Sequence, residues 1–526
     1  MIKQRQQRPV IDPRLIRPIL RTGGAYYLLV ALLAAVVAAG LYAWIRQLRL
    51  GLAVTGMNTP VYWGLYITNF VFFIGISHAG TLISAILRVT GAEWRRPITR
   101  AAEAITVFAL IVGASQVIID MGRPDRVLNL IRYGRFQSPL LWDVTSITIY
   151  LLGSITYLYL PLMPDMAILR DSLPTETPGW RRRLYRLLAL GWHGGAEQRR
   201  RLERAIAMMA VLIIPIAVSV HTVVSWIFAM TLRPMWHSTI FGPYFVIGAI
   251  YSGIATILIA MAIIRKAFHL EAYLKPLHFR YLGMLLLTFS ALWFYFTFAE
   301  YLTTGYGGVP HEMRVLNAKL SGEYQAAFWG MVAAMSIAFV MLLLPHLPAP
   351  GRIRLPAFRP RFAAATGVAA LLVAVLILNQ AGLVPVLTDL SVRPTAPVLP
   401  WLLAALVALF AVSVLPALRH NIIAGTVIAA FLVDLGMWLE RFTIVVPTET
   451  RPMLEGYLIG IYHPTATEWI LTAASFAGFV LLYLIFVKLF PIISIWEVRE
   501  AEEVIPQMVE KVQSYLPDVS PISSRE

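Results

Sequence analysis

Long apolar segments recur along this sequence and constrain its fold more than any other feature. A helix needs about 20 apolar residues to cross the hydrocarbon core of a bilayer, and twelve segments meet that test. They lie near residues 25–46, 61–87, 101–120, 141–161, 206–231, 240–264, 281–304, 325–346, 362–382, 398–417, 421–446 and 469–490. The ninth is rich in alanine and valine and the tenth is short, so ten spans remain the alternative. We therefore predict an all-α polytopic integral membrane protein with ten to twelve transmembrane helices.

The composition supports a membrane protein and excludes several other classes. Of the 526 residues, 58% are hydrophobic and only 14% are charged, which is too few polar side chains for the surface of a soluble protein this large. Cysteine is absent, so the chain itself can hold no disulfide, no thiolate-bound zinc and no iron–sulfur cluster. The net charge of +16 would suit a nucleic-acid partner, but the basic residues lie mainly in loops between apolar segments. That distribution indicates orientation in a membrane instead.

Arginine and lysine collect in the even-numbered loops. The loop 162–205 alone carries nine arginines, and the loops 88–100 and 265–280 are also basic. Positive side chains stay on the cytoplasmic side of the membrane, so we expect a multi-pass protein of the bacterial inner membrane with both termini cytoplasmic. The predicted parts are a basic N-terminus without a signal-peptide pattern at 1–24, core spans at 25–346, an insert with two extra spans at 347–420, the last two spans at 421–492 and a cytoplasmic tail at 493–526.

Two acids occupy related places in the pattern of spans. Asp120 and Glu300 each come late in an outward-running span and precede a loop that contains glycine and proline. Two bundles of related layout would produce this arrangement. We predict two four-helix bundles plus peripheral helices.

Ionisable side chains at the ends of apolar segments are the candidate functional residues, because charge is costly inside a bilayer. Asp120 ends the third span, Asp143 begins the fourth on the same side, and His221 lies inside the fifth. A quinol site needs polar groups for two hydroxyls, a base near one of them and an apolar groove. We predict that these three residues are catalytic in such a site. The other predicted pocket residues are Gln116, Arg123, Ser138 and Trp142.

The loop between Asp120 and Asp143 is unexpectedly basic for an outer loop. It holds Arg123, Arg126, Arg132 and Arg135. These arginines would contact lipid headgroups or a partner subunit, or they would line an anion- or quinone-facing mouth and a docking surface. Asp120 and Arg123 would also form a structural pair at the helix end, a role that can coexist with catalysis.

A second group of buried ionisable residues is a candidate proton path. Its members are His78, Glu300, Asp434, Glu440 and Arg441. The adjacent Glu440 and Arg441 would equally form an ion pair that locks helices together. A haem held by two histidines needs both side chains at nearly the same depth in the membrane. His78 and His221 lie about 25 Å and about 15 Å from the outer ends of their spans at 1.5 Å per residue. No haem is therefore expected. The aromatic segment 233–245 fits an interfacial belt.

Five motifs together resemble the membrane subunit of polysulfide reductase, the NrfD-like family. They are DMGRPDR at 120–126, SPLLWD at 138–143, HSTIFGPYFVIGAIYSG at 237–253, GMWLERFTIVVP at 436–447 and FPIISIWEV at 490–498. The sequence is most similar to the quinone-linked subunits of alternative complex III and of sulfate-reducer transmembrane complexes. The resemblance covers most of 25–346 and again 421–498.

The resemblance implies the quinol-oxidising subunit of a respiratory or photosynthetic electron-transfer complex. Such a protein has no metal cofactor and binds menaquinol near the outer face. Its electrons would pass to an iron–sulfur subunit of ferredoxin-like or molybdopterin type docked outside. Further partners implied are a second NrfD-like chain and a multihaem cytochrome c, and proton translocation is left open.

Two departures from the family pattern leave the particular complex open. In alternative complex III a histidine usually stands where this chain has Asp120, and residues 348–418 have no counterpart. The first departure favours the sulfate-reducer-like branch, or changes which group takes the proton.

Two other classes of function remain as alternatives. A secondary transporter would also explain many spans and buried acids, and mid-span breaks at glycine or proline would favour it. Few such breaks occur, because most glycines and prolines lie at span ends. A purely structural membrane anchor for a redox complex would need none of the buried ionisable groups.

Overall fold

The part of the chain described by the computed structural model consists of helices and their connections, with no strand. It comprises residues 12–499 except 21, 173–176, 347–364, 370–420, 454–455 and 457. Its helices are α1 Pro13–Leu20, α2 Gly24–Leu50, α3 Leu65–Val89, α4 Arg96–Asp120, α5 Asn129–Arg132, α6 Pro139–Ser172, α7 Gly179–Leu188, α8 Ala196–Met230, α9 Phe241–Ala267, α10 Pro276–Gly307, α11 Pro310–Leu320, α12 Gln325–Leu343, α13 Ile422–Glu449 and α14 Ala466–Leu489. Four short 3₁₀ turns join some of them.

Ten of the described helices are long and apolar enough to cross a membrane. They are α2, α3, α4, α6, α8, α9, α10, α12, α13 and α14, which confirms the predicted all-α polytopic fold. The predicted ninth and tenth spans, at 362–382 and 398–417, lie outside the described residues apart from a short helical piece at 365–369. Several helices continue beyond their apolar segments. For example, α8 begins at Ala196, ten residues before the predicted start, because the polar run there is compatible with a helix outside the hydrocarbon.

The spanning helices form two four-helix bundles and a peripheral pair, as predicted. In the first bundle α3 packs on α4 and α8, while α6 packs on α4 and α8. In the second, α9 packs on α10 and α13, and α12 packs on α10 and α13. The bundles meet where α3 and α8 contact α9. The remaining pair, α2 and α14, packs on the first bundle through α4.

The connections divide between two ends of the molecule. The connecting segments 51–64, 121–138, 231–240 and 308–324 and the described parts of 450–465 share one end, which we call the Asp120 face. Side chains join these loops, since Glu449 pairs with Arg233 at 3.3 Å and accepts a hydrogen bond from the backbone N–H of Tyr62 at 3.2 Å. The opposite end, called the Glu497 face, carries the turn 90–95, which Arg88 and Arg96 flank, and the segment 490–499.

A buried ion pair fixes the last described segment to the Glu497 face. Arg100 of α4 contacts Asp165 of α6, and both side chains are almost completely buried. Asp165 also accepts hydrogen bonds from the backbone N–H groups of Ile495 and Trp496, at 3.2 and 2.8 Å. Nearby, Glu497 pairs with Arg88 and Arg95. These contacts tie the segment after α14 to the first bundle.

The contact between α2 and α14 requires a small residue at position 40. A Cβ added to Gly40 would overlap the Cβ of Ala474, and close helix approach in a bilayer depends on such small residues. We expect Gly40→Ala to push α2 away from α14 and lower the midpoint of thermal unfolding in mild detergent. Gly478→Ala is the matched control, because its added Cβ would meet Val37 of the same interface at an ordinary 3.8 Å. Equal midpoints for the two variants would contradict the expected close contact.

Candidate functional site

Asp143 lies in the second turn of α6 and is buried without a partner. Its side chain is 9% exposed, and its Oδ1 atom has no hydrogen-bond partner among the described residues. The start of the helix is fixed beside it. The indole N–H of Trp142 donates to the carbonyl of Phe136 at 2.5 Å, and the carbonyl of Ser138 accepts from Leu141 N–H at 3.0 Å. The sequence therefore holds a carboxyl in place and leaves one of its oxygens free.

Asp120 is the last residue of α4, and its Oδ1 atom is likewise buried and has no hydrogen-bond partner in the described part of the chain. One turn earlier, Gln116 Nε2 donates to Ser475 Oγ of α14 at 2.9 Å, while no described residue bonds Gln116 Oε1. Asp120 and Gln116 therefore lie on the side of α4 that faces α14. No described contact joins Asp120 to Asp143, so their use of one pocket stays a prediction.

Arg123 does not pair with Asp120, and the predicted structural pair at the helix end is wrong. Its guanidinium donates two hydrogen bonds of 3.0 Å to Asp125, and both side chains are largely exposed. The cause is the turn that follows α4. Gly122 has a φ of +64°, in the left-handed region that glycine tolerates, and the chain there turns Arg123 outward. The role of Arg123 in a quinol pocket stays a prediction. Its side chain lies on the surface.

His78 and His221 contact each other in the interior of the first bundle. Their ring centroids are 3.8 Å apart, and both side chains are completely buried. The predicted depth difference of about 10 Å is therefore wrong. Because α3 begins at Leu65 instead of residue 61 and the helix ends are not level, residue counting misplaced the rings. The direct contact leaves no space for an iron between the two imidazoles.

The two histidines differ in their hydrogen bonding. His78 Nδ1 lies 3.1 Å from the carbonyl of Ile74, and its Nε2 contacts the carbonyl of Ala217. Neither ring nitrogen of His221 has a partner among the described residues. Buried polar atoms are nearly always bonded in folded proteins, so His221 is positioned to bind water or a ligand, or to exchange a proton.

Glu440 and Arg441 form a buried ion pair in the second bundle, 3.1 Å apart. Trp293 Nε1 donates to Glu440 at 2.5 Å, and the Arg441 guanidinium lies 5.0 Å from the centre of the Phe245 ring. These contacts connect α13 with α9 and α10, as expected for a helix lock. Arg441 also acts electrostatically on His221. Arg441 thus lies on the side of the second bundle where α13 packs on α9.

The other predicted residues of the proton path lie apart from one another. Asp434 Oδ2 accepts a hydrogen bond from Thr256 at 2.9 Å, and Oδ1 has no partner in the described part of the chain. Glu300 accepts one from Ser238 at 2.6 Å near the Asp120 face. In the segment predicted as an interfacial belt, His237 is exposed and lies 3.3 Å from Glu312. Trp236 of the same segment is instead buried, and it donates to the carbonyl of Ile444 at 3.0 Å.

Sequence reasoning missed one cluster in the first bundle. Ser84 donates to Glu103 Oε1 at 2.7 Å and lies 3.3 Å from the hydroxyl of Tyr157. Glu103 is 2% exposed, and its Oε2 has no partner among the residues described. The signal was present, because Glu103 falls inside the third apolar segment. It was overlooked because it stands near the basic end of that segment. Within the described residues, no three histidine, aspartate or glutamate side chains are grouped to hold a metal ion.

The fold and these buried groups define a class: a multi-pass integral membrane protein with unpartnered carboxyl and imidazole groups inside one bundle. The family described as polysulphide reductase, NrfD, matches residues 53–383. The chain belongs to this family, which confirms the resemblance carried by the motifs.

Three curated relatives are similar to parts of this chain. It is 32% identical over 228 residues to a putative dimethyl sulfoxide reductase membrane subunit of Halobacterium salinarum, a match that covers 43% of this chain and 49% of the relative. It is 26% identical to a selenate reductase subunit of Mesobacillus selenatarsenatis, over 60% of this chain and 74% of that protein. The Hdr-like menaquinol oxidoreductase integral membrane subunit of Archaeoglobus fulgidus is 24% identical, over 61% of this chain and 71% of its own length. The chain thus spans about half the length of the first of these relatives.

Proposed function

We propose that this chain is the membrane subunit of a redox complex and that it binds and oxidises menaquinol at the Asp120 face. The observation that carries the proposal is the pair of buried carboxyl oxygens, on Asp120 and Asp143, that no described protein group bonds. A bound quinol would give such atoms hydroxyl partners. The named relatives support the class of complex, since one is a menaquinol oxidoreductase subunit and another belongs to selenate reductase.

The side-chain oxygens of Asp143, Asp120 and Gln116 that no described residue bonds can accept hydrogen bonds from the hydroxyl groups of a quinol. A quinol supplies two protons and two electrons when it is oxidised. The free Oδ1 of Asp143 accepts a hydrogen bond from one hydroxyl and then its proton, as a general base. Asp120, with the free Oε1 of Gln116 one turn below, accepts from the second hydroxyl. The apolar surfaces of α4 and α6 nearby, including the exposed Ile118 and Leu140, suit an isoprenoid tail.

The proton-coupling part of the proposal follows the buried groups from one bundle to the other. A proton would enter near Glu103 at the Glu497 face and reach the His78–His221 contact. Arg441 and Glu440 connect that contact with the second bundle, and Glu300 lies towards the Asp120 face. Asp434, bonded to Thr256 of α9, lies beside this route without a described contact to it.

A partner surface is proposed at the loop 121–138. Large apolar side chains there are exposed, led by Phe136 at 88% and Ile131 at 73%, and arginines lie among them. An exposed apolar patch with basic residues is typical of a protein interface. We propose that an iron–sulfur subunit docks here and receives the electrons. The Asp120 face would then be the outer face of the inner membrane, with both termini in the cytoplasm.

The proposal is tested on the complex purified in mild detergent. We expect an iron–sulfur subunit to co-purify, and the complex to oxidise a short-chain menaquinol with reduction of that subunit's clusters. Iron content and cluster reduction are measured by metal analysis and electron paramagnetic resonance. A complex with intact, reducible clusters that no quinol reduces would contradict the proposal and leave this chain as a structural anchor.

A double-substitution experiment tests whether both acids serve one quinol. We expect Asp120→Asn and Asp143→Asn each to slow menaquinol oxidation, and the double variant to retain about the activity of the slower single variant. Groups that act together on one ligand give such non-additive effects. Asp171→Asn is the control, because this acid is exposed, is paired with Arg170 and lies at the other end of α6, away from the Asp120 face. If the two losses multiply, the acids act at separate sites.

A further inference from the structure

Lys319 is a buried cation without a carboxylate partner in contact among the described residues. It lies near the end of α11, the short helix that covers the second bundle at the Asp120 face, and its side chain is 4% exposed. Its ammonium group has two described neighbours, Met235 Sδ at 4.0 Å and the ring of Tyr301, whose centre is 5.6 Å away. Neither neighbour is a strong acceptor. A buried charge is costly unless it is paired, so this lysine needs an explanation.

A small cavity adjoins Lys319 and brings acids close to it. The cavity has room for about one water molecule. Polar groups from three helices line it, besides Lys319 itself. They are Tyr244 of α9, Glu300 and Tyr301 of α10, and Glu440 and Thr443 of α13. A water in this space would have several polar partners, which is the condition for a buried water to be stable. Such a water would connect the ammonium group with both carboxyl groups.

The environment of Lys319 allows the side chain to lose its proton. Burial lowers the pKa of the Lys319 ammonium to about 8, although Glu300 and Glu440 oppose the decrease. The other titratable groups that face it, Tyr244 and Tyr301, carry no charge as neutral phenols. The protonated and neutral forms of Lys319 are therefore both accessible near physiological pH.

A polar connection leads from Glu300 to the surface. Its carboxyl group accepts a hydrogen bond from Ser238, which is partly exposed. His237 and Glu312, which lie 3.3 Å apart, both act electrostatically on Glu300. His237 is about half exposed. A proton that reaches Glu300 is thus close to groups in contact with solvent at the Asp120 face.

We propose that Lys319 is the proton-release residue of the second bundle, passing protons from the side of Glu440 to Glu300 through the cavity. In each transfer an N–H bond of the ammonium group breaks, the proton moves through the cavity water to the Glu300 carboxylate, and the amine is left neutral. The amine is protonated again from the side of Glu440. This inference rests on the proton-coupling part of the proposed function and extends it to a residue outside the spans.

Two substitutions separate release from a structural role. Lys319→Met has a similar length and no titratable group, and Lys319→Arg keeps the positive charge but does not release its proton at physiological pH. The complex is reconstituted into liposomes, and protons released per electron are measured with menaquinol as donor. We expect both variants to fall to the stoichiometry of quinol oxidation alone, one proton per electron, while the wild type exceeds it. If Lys319 only stabilised the fold, Lys319→Arg would restore the wild-type stoichiometry.

A substitution elsewhere in α11 provides the control. Arg314→Met removes a positive charge from the same helix outside the cavity and is expected to release protons like the wild type. Thermal unfolding shows whether each variant is folded. If Lys319→Met does not fold, Lys319→Arg tests the proposal. If the wild type and Lys319→Arg both release more than one proton per electron, to the same extent, the proposed role of Lys319 is wrong. The proton-coupling proposal would still stand. A wild type that releases only one proton per electron overturns the proposed role together with the proton-coupling proposal.

The pKa of Lys319 also determines how the number of protons released per electron should depend on pH. Lys319 carries its proton below about pH 8 and loses it above. We therefore expect the wild-type stoichiometry to fall towards one proton per electron as the pH rises through about 8. Arg314→Met should show the same midpoint, and a stoichiometry that stays constant well above this pH would contradict the proposal.

Discussion

Replacing Asp143 with asparagine is expected to slow menaquinol oxidation by about 100-fold or more, the usual contribution of a general base. Asparagine has nearly the same shape and keeps an oxygen at the position of Oδ1, but it cannot accept the proton. Because Asp143 is buried and bonded to no other side chain among the described residues, the substitution breaks no ion pair. Folding should therefore be unchanged. The measurement is the steady-state rate with a short-chain menaquinol, with the amount of assembled complex as a check.

Two controls accompany this prediction. Asp171→Asn removes an exposed acid at the other end of α6 that is already paired with Arg170, and its rate should match the wild type. Asp143→Glu keeps the carboxyl group and should restore part of the activity. Wild-type oxidation by Asp143→Asn would show that Asp143 takes no proton from the quinol.

The largest expected effect on stability comes from Arg100. Arg100→Met leaves the Asp165 carboxylate buried without its cation, and breaking a buried ion pair in this way costs about 3–5 kcal/mol. Arg100 also donates to the carbonyl of Pro161 at 2.7 Å and to Ser494 at 3.2 Å. The midpoint of thermal unfolding in detergent should fall clearly, and the segment 490–499 should become sensitive to protease. The double variant Arg100→Met/Asp165→Leu should be more stable than Arg100→Met, because it leaves no unpaired charge.

An exposed ion pair provides the matched control. Arg201 and Glu197 are paired at 2.8 Å within α8, and both side chains are largely exposed. Such pairs contribute about 0–1 kcal/mol, so Arg201→Met should hardly move the midpoint. If Arg100→Met and Arg201→Met behaved alike, Arg100 and Asp165 would not form a buried pair.

The spans were predictable because the signal is local. A bilayer requires a fixed length of apolar helix, and each span from α2 to α14 in the described part shows that length in its own sequence. The buried acids at the helix ends were found for the same reason, since a carboxylate in an apolar segment stands out. Glu440 and Arg441 are adjacent in sequence, so their pairing also needed no knowledge of the fold.

What sequence could not supply was the position of one helix relative to another. His78 and His221 were placed at different depths by counting residues, but helix ends are not level and the rings touch. Arg100 and Asp165 are 65 residues apart, and only the packing of α4 on α6 shows that they meet. Lys319 is not among the predicted site residues, because nothing in the sequence near it indicates that α11 covers the second bundle.

The central claim is that the acids at the Asp120 face hold and deprotonate a quinol, and photolabelling tests it most directly. A photoreactive menaquinone analogue is bound to the purified complex, activated by light and located by mass spectrometry of the peptides. The account predicts labelling within residues 112–147, where Asp120 and Asp143 lie, and loss of that labelling in excess menaquinone. Competed labelling confined to other parts of the chain, or to a partner protein, would contradict it.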